Sequence, residues 1–385
     1  MRVIYTAAHA GAGLGVPIGG GGAIATMLAA EWAKTKPFDL TVVRPEENAE
    51  DLVAYTNAEY TAFCQRFRHY ATNRVLSEDP ASCVVLANDI AEGPDFELLH
   101  RHGYRIYTIW HVDVVAFVAR MHLRGIVSAQ TLARMVKPFE RMLPPIAKLV
   151  FHQQRSCVNL STGHIVMTEA MKRTILECYP ETAPEKIHVV PWGAPTLDFI
   201  GKRGPAPSPV LLTLSRISPE KGLVELLKML RSWRGKATLL LCGAPAYMHG
   251  EQCKAELVAL ARTMTDIDVR FLGHLAGQAK ADAFASADVY LFPSVFESYG
   301  LTLMEALAHG VPVIAFDHAG ARAIVKPEFG VLVRTERELH EALDALLSDK
   351  ARLSKMGQAA KAYAARRTFV QSAAQLASVM QIQNI

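Results

Sequence analysis

Short apolar runs rich in β-branched residues recur along this chain, and stretches of helical period separate most of them. Residues 2–8, 39–44, 82–87, 105–110, 164–167 and 186–190 read as strands. Between the first two runs, Ile24, Met27, Leu28 and Trp32 repeat at helical spacing within 22–34. Alternation of this kind implies a parallel sheet covered by helices on both faces. The pattern breaks at "PWGAPTLDFIGKRGPAPSP", residues 191–209, whose prolines and glycines suit a connector between domains. It then restarts, with strands expected at 210–214, 237–242, 269–272, 289–292 and 311–316 and helices at 220–233, 251–264, 278–286 and 301–309. From 336 onward the chain reads as helical. The expectation is α/β: a doubly wound domain at 1–192, a linker at 193–209, a second doubly wound domain at 210–365, and a last helix at 366–385.

Composition narrows the class. The chain has 385 residues, half of them hydrophobic and one fifth charged, which excludes a disordered or fibrous chain. A formal charge of +4 is too small to imply nucleic acid as an obligatory partner. The six cysteines form no C-x-x-C pair and read as buried free thiols, as a reducing compartment allows. The fourteen histidines show no H-E-x-x-H spacing, so neither a dedicated metal site nor a bound cofactor is expected. Residues 3–30 carry no charged side chain, and Arg2 precedes them as in a signal peptide, yet they contain seven glycines and Pro17. No apolar run there approaches the ~18 residues that span a bilayer. A cytoplasmic location is expected.

Two segments carry chemistry. In "SVFESYGLTLMEALAHGVPVIA", residues 294–315, Glu297 lies in the loop after a strand and Glu305 follows eight residues later inside a helix. The helix begins near Gly300 and Leu301, where free amides and the positive end of the helix dipole suit a diphosphate. Two carboxylates beside phosphates are tolerated mainly for binding sugar hydroxyls. In "LSRISPEKGL", residues 214–223, Arg216 follows a strand and Lys221 stands at the next helix start. Two fixed cations at a strand's carboxyl end can neutralise a diphosphate, Arg by a fork and Lys as a point charge.

These two segments, together with "VRFLGHL", "ADVYLFPS" and "PVIAFDHAGARAIV", resemble the nucleotide-sugar domain of retaining glycosyltransferases of family 4, closely over 210–333 and loosely before it. The resemblance implies the GT-B fold, two Rossmann-like domains facing across a cleft, with the last helix, 366–385, crossing back to the first. It implies a metal-independent transfer of a sugar from a nucleotide donor, UDP-linked or GDP-linked, to an acceptor hydroxyl. Arg216 and Lys221 would hold the diphosphate, and Glu297 would meet hydroxyls of the donor sugar. Amides at Gly300, Leu301 and Thr302 would meet phosphate and sugar. Glu305 would hold the ribose, and the base would lie near Gly273, His274 and Leu275. In the first half, the glycines 19–22, with Gly21 and Gly22 nearest the helix, resemble the family's loop that approaches the diphosphate, where the missing Cβ permits close contact.

In "IYTIWHVD", His111 stands at a strand's carboxyl end, where the family often has a histidine that contacts the donor sugar. Asp113 would orient His111 or meet the acceptor. Trp192, in "PWGAP", replaces a small polar residue of the family pattern, and "AGARA" keeps Gly320 but places Arg322 where an acidic residue is common. Both departures bear on which donor or acceptor fits.

"GAGLG", Gly11 to Gly15, keeps an NAD(P)-dependent dehydrogenase as a rival, although its spacing is G-x-G-x-G rather than G-x-G-x-x-G. A nucleotide-sugar epimerase of the same fold is the nearer rival. Residues 120–173 hold nine Lys or Arg against Glu140 and Glu169. Solvated helix faces are the favoured reading there, with an anionic membrane surface or an acidic acceptor as the alternative.

Overall fold

The computed structural model describes residues 1–9, 19–45, 55–246 and 249–382. The chain divides into two compact units, Met1–Pro191 with Val370–Ile385, and Trp192–Phe369.

The first unit is built on six parallel strands: β1 (Arg2–Thr6), β2 (Asp39–Val43), β3 (Cys83–Ala87), β4 (Arg105–Ile109), β5 (Gly163–Val166) and β6 (Ile187–Val189). Their order is β2-β1-β3-β4-β5-β6, with Ile4 of β1 opposite Thr41 on one side and Val85 on the other. The chain steps outward from β1 to β2, then returns past β1 to β3, so the direction of winding reverses between β1 and β3. That reversal opens a crevice at the carboxyl ends of the two strands, where ligands of open α/β sheets bind. Every residue of β3 is buried, as a central strand covered on both faces requires. The Asn57–Leu76 helix starts at a reciprocal capping box between Thr56 and Glu59 and contributes Phe63, Phe67 and Val75 to the core. The last helix, Phe369–Ile382, belongs to this unit: Trp32 Nε1 donates to the Ala373 carbonyl at 3.1 Å and Ser372 Oγ to the Pro191 carbonyl at 2.7 Å.

The second unit carries β7 (Val210–Leu214), β8 (Ala237–Cys242), β9 (Ile267–Gly273), β10 (Val289–Phe292), β11 (Val313–Phe316) and β12 (Gly330–Val333). Their order is β12-β11-β10-β7-β8-β9, again all parallel, and the reversal falls between β7 and β10. β12 was not expected from the sequence, because four residues flanked by charged turns give too short an apolar run. The expected helix 220–233 is instead a 3₁₀ turn, Pro219–Lys221, followed by Leu223–Leu230, with Gly222 at φ 63° between them. The helical tail is three helices, Glu336–Leu347, Lys350–Ala365 and Phe369–Ile382. The proline-rich segment packs on this unit: Ala194 bridges to Thr368, and the Lys202 amide donates to Asp282 at 2.8 Å. The cysteines are all free; five are buried and Cys253 is half-buried.

Candidate functional site

In the second unit, β7 and β10 are neighbours, so the loops that leave their carboxyl ends run side by side. Gly222 makes this possible. A Cβ there would lie 2.0 Å from the Pro293 carbonyl oxygen, and its φ of 63° is left-handed, so no other residue fits. The Val295 amide donates to the Glu220 carbonyl at 2.9 Å and ties the loops together. The result places Lys221 Nζ 2.5 Å from Glu297 Oε2, with Lys221 only 9% exposed. Arg216 reaches Glu220 Oε1 at 3.3 Å, which also accepts from Ser218 Oγ at 2.6 Å. Burial pushes the Glu297 carboxyl up, but Lys221, then Arg216 and His318, outweigh it and hold the pKa below its ordinary value. His318 caps the Ala319–Ile324 helix, and burial holds its imidazole down to about 4, so it stands neutral beside Glu297. A Cβ on Gly320 would lie 2.4 Å from the Glu297 carbonyl oxygen, so this glycine lets the Glu297 loop close against that helix.

Gly300 begins the Leu301–His309 helix at φ 108° with no side chain capping it, which leaves first-turn amides to a ligand. Leu301 and Thr302 are half-buried beside it. Glu305, one turn on, pairs with Lys280 Nζ at 2.8 Å. The two motif carboxylates thus rest on different lysines. Nothing in the pattern around Lys280 or His318 marked them. Gly273 and His274 are exposed and Leu275 is half-buried at the end of the edge strand β9, whose Gly273 carbonyl accepts from the Gly243 amide at 2.6 Å. Arg322 forks onto Asp317 at 2.5 and 3.0 Å, with Arg334 on the same carboxylate, so its charge is spent within the unit.

In the first unit the loops after β1, β3 and β4 converge. Gly21 and Gly22 belong to the first turn of the Gly19–Thr35 helix rather than to a loop ahead of it. Gly11 to Gly15 lie outside the described residues. His111 Nε2 is 3.1 Å from Asn88 Oδ1, and Tyr5 OH donates to the same oxygen at 2.5 Å. Burial, then the charge of His9, holds the His111 pKa down to about 3, so the ring is neutral. Asp89 is pushed up to about 6 by burial and by nearby Glu92. Glu92 is held below its ordinary value despite burial, because His9 pairs with it at 3.0 Å and Tyr60 OH donates to it. His9, Asp89 and Glu92 form the one group of histidine and carboxylate atoms, among the described residues, close enough to share a metal ion.

Two assignments from sequence are corrected here. Asp113 does not orient His111: it is buried, and its Oδ1 caps the Val114–Phe117 helix at the Ala116 amide, 3.1 Å, and accepts from Gln154 at 3.0 Å. Trp192 is 2% exposed and packs on Phe369 at 5.8 Å, so its ring is part of the core rather than an exposed acceptor-side surface.

The family model "Glycosyl transferases group 1" matches residues 199–363, which span the whole strand order of the second unit. The D-inositol 3-phosphate glycosyltransferase of Kineococcus radiotolerans is 30% identical over 308 residues, covering 71% of this chain and 67% of that protein. The chain belongs to the group 1 glycosyl transferases. The alpha-maltose-1-phosphate synthase of Mycobacterium tuberculosis is 26% identical over 235 residues, 54% of this chain and 59% of the synthase. The match thus spans well under two thirds of that relative's length. Among solved structures, sucrose-phosphate synthase from Thermosynechococcus elongatus superposes with a TM-score of 0.76 at 16% identity, over 99% of this chain and 98% of that one. Anabaena HepE, solved in complex with UDP-glucose, superposes at 0.68 and 17% identity over the full length of both. This group 1 glycosyl transferase therefore has the GT-B fold.

Proposed function

We propose that the protein is a retaining hexosyltransferase that moves a sugar from a nucleoside diphosphate, UDP-linked in preference to GDP-linked, to an acceptor hydroxyl. The observation that carries this reading is the Lys221–Glu297 pair, with Arg216 and the uncapped helix start at Gly300 on the same pair of loops. In the reaction the anomeric C–O bond breaks and its electron pair leaves with the diphosphate. The acceptor oxygen forms the new bond from the same face and its proton passes to the departing phosphate oxygen. Arg216, Lys221 and the first-turn amides answer the negative charge that develops on the leaving group, the largest electrostatic demand of the step. Glu297, kept ionised by its cations, accepts hydrogen bonds from sugar hydroxyls, and Glu305 with Lys280 meets the ribose. The UDP-glucose complex of HepE and the GDP-mannose dependence of a corynebacterial mannosyltransferase relative support donors of this class.

Fixed cations take the place of a metal, so a chelator leaves turnover unchanged. Loss of turnover in a chelator would instead point to His9, Asp89 and Glu92 as a required metal site. Release of UDP or GDP from a panel of nucleotide sugars tests the main reading. Isomerised donor without acceptor would indicate the epimerase, and a thermal shift with NADPH but with neither UDP nor GDP would indicate the dehydrogenase.

Residues 112–148 support a place of work at a membrane surface. No described helix is long and apolar enough to cross a membrane. Yet Val112, Ile126, Met135, Phe139, Met142 and Ile146 are exposed, Ile126 by 85% and Met142 by 83%. Arg120, Arg124, Arg134, Lys137, Arg141 and Lys148 are exposed among them, and the one acid of the stretch after Asp113, Glu140, is buried against Arg155 at 2.7 Å. Cations interspersed with exposed apolar side chains fit an anionic bilayer surface. This supports a cytoplasmic enzyme that works at the membrane. Sedimentation with anionic phospholipid vesicles is expected, reduced by salt and by Phe139→Asp with Met142→Asp. Equal binding to phosphatidylcholine vesicles, or none to either, would refute it.

A further inference from the structure

Asn88 follows β3 directly and has no exposed surface, at the point where the winding of the first sheet reverses. Its amide nitrogen lies 2.8 Å from Asp89 Oδ2 and 3.4 Å from the Gly21 carbonyl oxygen. A main-chain carbonyl can only accept, so the NH2 group must face that side and the amide orientation is determined by its surroundings. The amide oxygen then faces Tyr5 OH at 2.5 Å and His111 Nε2 at 3.1 Å. An oxygen with two lone pairs serves both, provided that each partner brings a proton.

We infer that Asn88 is a positioning residue that locks His111 in the Nε2–H tautomer, leaving Nδ1 as an acceptor for a substrate hydroxyl. The neutral ring has one ring proton, and Asn88 holds it on Nε2. Tyr5 and the Gly21 carbonyl in turn hold Asn88, so four elements of the unit converge on one hydrogen-bond arrangement. Gly21 completes it by what it lacks: a Cβ there would stand 3.3 Å from both Asp89 Oδ1 and His111 Cδ2. The ring and the carboxylate therefore sit side by side against a bare helix turn. Both present acceptors, which suits a ligand rich in hydroxyl donors and disfavours a phosphate at this place. The role in substrate binding rests on the transferase reading above; the tautomer does not.

The test is the ring ¹⁵N spectrum of the full chain at pH 8, with His111 signals assigned by their absence in His111→Gln. The wild-type protein is expected to show the neutral Nε2–H pattern. An Nδ1–H pattern or an imidazolium would overturn the inference without reference to activity. Asn88→Leu removes the acceptor and is expected to give a mixture of tautomers and at least a ~10-fold fall in kcat, with a smaller change in donor KM. Asn88→Asp keeps an acceptor oxygen for His111 but sets its second oxygen against Asp89 and the Gly21 carbonyl, so it is expected to keep the ring proton on Nε2 and to retain only part of kcat. A folded Asn88→Leu protein with an unchanged ring spectrum would also overturn it, and if that variant fails to fold the wild-type spectrum decides. A correct tautomer in a protein that releases nucleotide from no donor would sink the transferase reading and leave this one standing.

Discussion

In the second unit, the loops after β7 and β10 set Arg216, Lys221 and a helix start around one ionised carboxylate, Glu297. In the first unit, the loops after β1 and β3 set Asp89 and Glu92 beside His9 and a neutral His111. Both sites occupy the reversal point of a parallel sheet, and both bury titratable groups, yet Glu297 and Asp89 respond in opposite directions. Glu297 is held low because cations surround it, whereas Asp89 is raised because burial and a second carboxylate oppose its charge. A shared topology supplies the place, and local charge decides what the place suits, which on the proposed function is phosphate in the second unit and hydroxyl groups in the first.

The largest effect should follow from removing the central cation. Lys221→Ala is expected to lower kcat by about 10²–10³-fold with the far-UV circular dichroism unchanged. Near-normal nucleotide release would break the assignment of phosphate chemistry to the second unit. On the first unit, Asp113→Ala removes a helix cap and one of the hydrogen bonds of Gln154, which keeps Tyr179 and the Val114 amide, at about 1 kcal/mol of stability, seen as a fall in the denaturant midpoint. An equal stability with lost acceptor binding would return Asp113 to the ligand.

The opposite carboxyl responses give a sharper pair. A depressed carboxyl contributes stability present above its unfolded pKa and lost as pH falls through the folded one. Glu297→Gln should therefore lower the melting temperature at pH 7, and the difference should begin to shrink as pH falls below the unfolded value of ~4.3 and vanish only below the depressed folded value. For a carboxyl raised to about 6, the folded state is disfavoured once pH exceeds that value and relieved as pH falls toward the unfolded value. Asp89→Asn should raise the melting temperature at pH 7, with the gain gone below pH ~4. Melting curves of both variants across pH 3–8 check the signs, and shifts of the same sign would erase the contrast between the two sites. The smallest effect belongs to Arg322→Ala, at most about 1 kcal/mol in denaturant unfolding, because Arg334 still holds Asp317.

Much of this was legible in the sequence. β7, β8 and β10 and the Leu301–His309 helix fall at the expected bounds, because buried parallel strands read as short apolar runs and the change to a helical period is sharp. Arg216, Lys221 and Glu297 stood out because each lies between the end of a strand and the start of the next helix, where chain direction alone puts residues at the carboxyl end of the sheet. Asn88 gave no such signal: it ends the buried run of β3 like any polar residue after a strand. Lys280 lies in a helix of ordinary composition, and Trp192 looked like a departure from a ligand-facing pattern until its burial showed a core role.

The sequence by itself determined the alternation of strand and helix, the break at 191–209 and the residue types at the strand ends, since all of these are recorded in local periodicity. Only the tertiary structure decided the strand order, and with it which ends are neighbours. The Lys221–Glu297 pair spans 76 residues and the Asn88–His111 contact 23. The assignment of the last helix to the first unit spans more than 340 residues, from Trp32 to Ala373. Strand pairing, close approach at glycine and the sharing of one amide between two side chains are contacts across the fold, and local periodicity does not encode which distant partners meet.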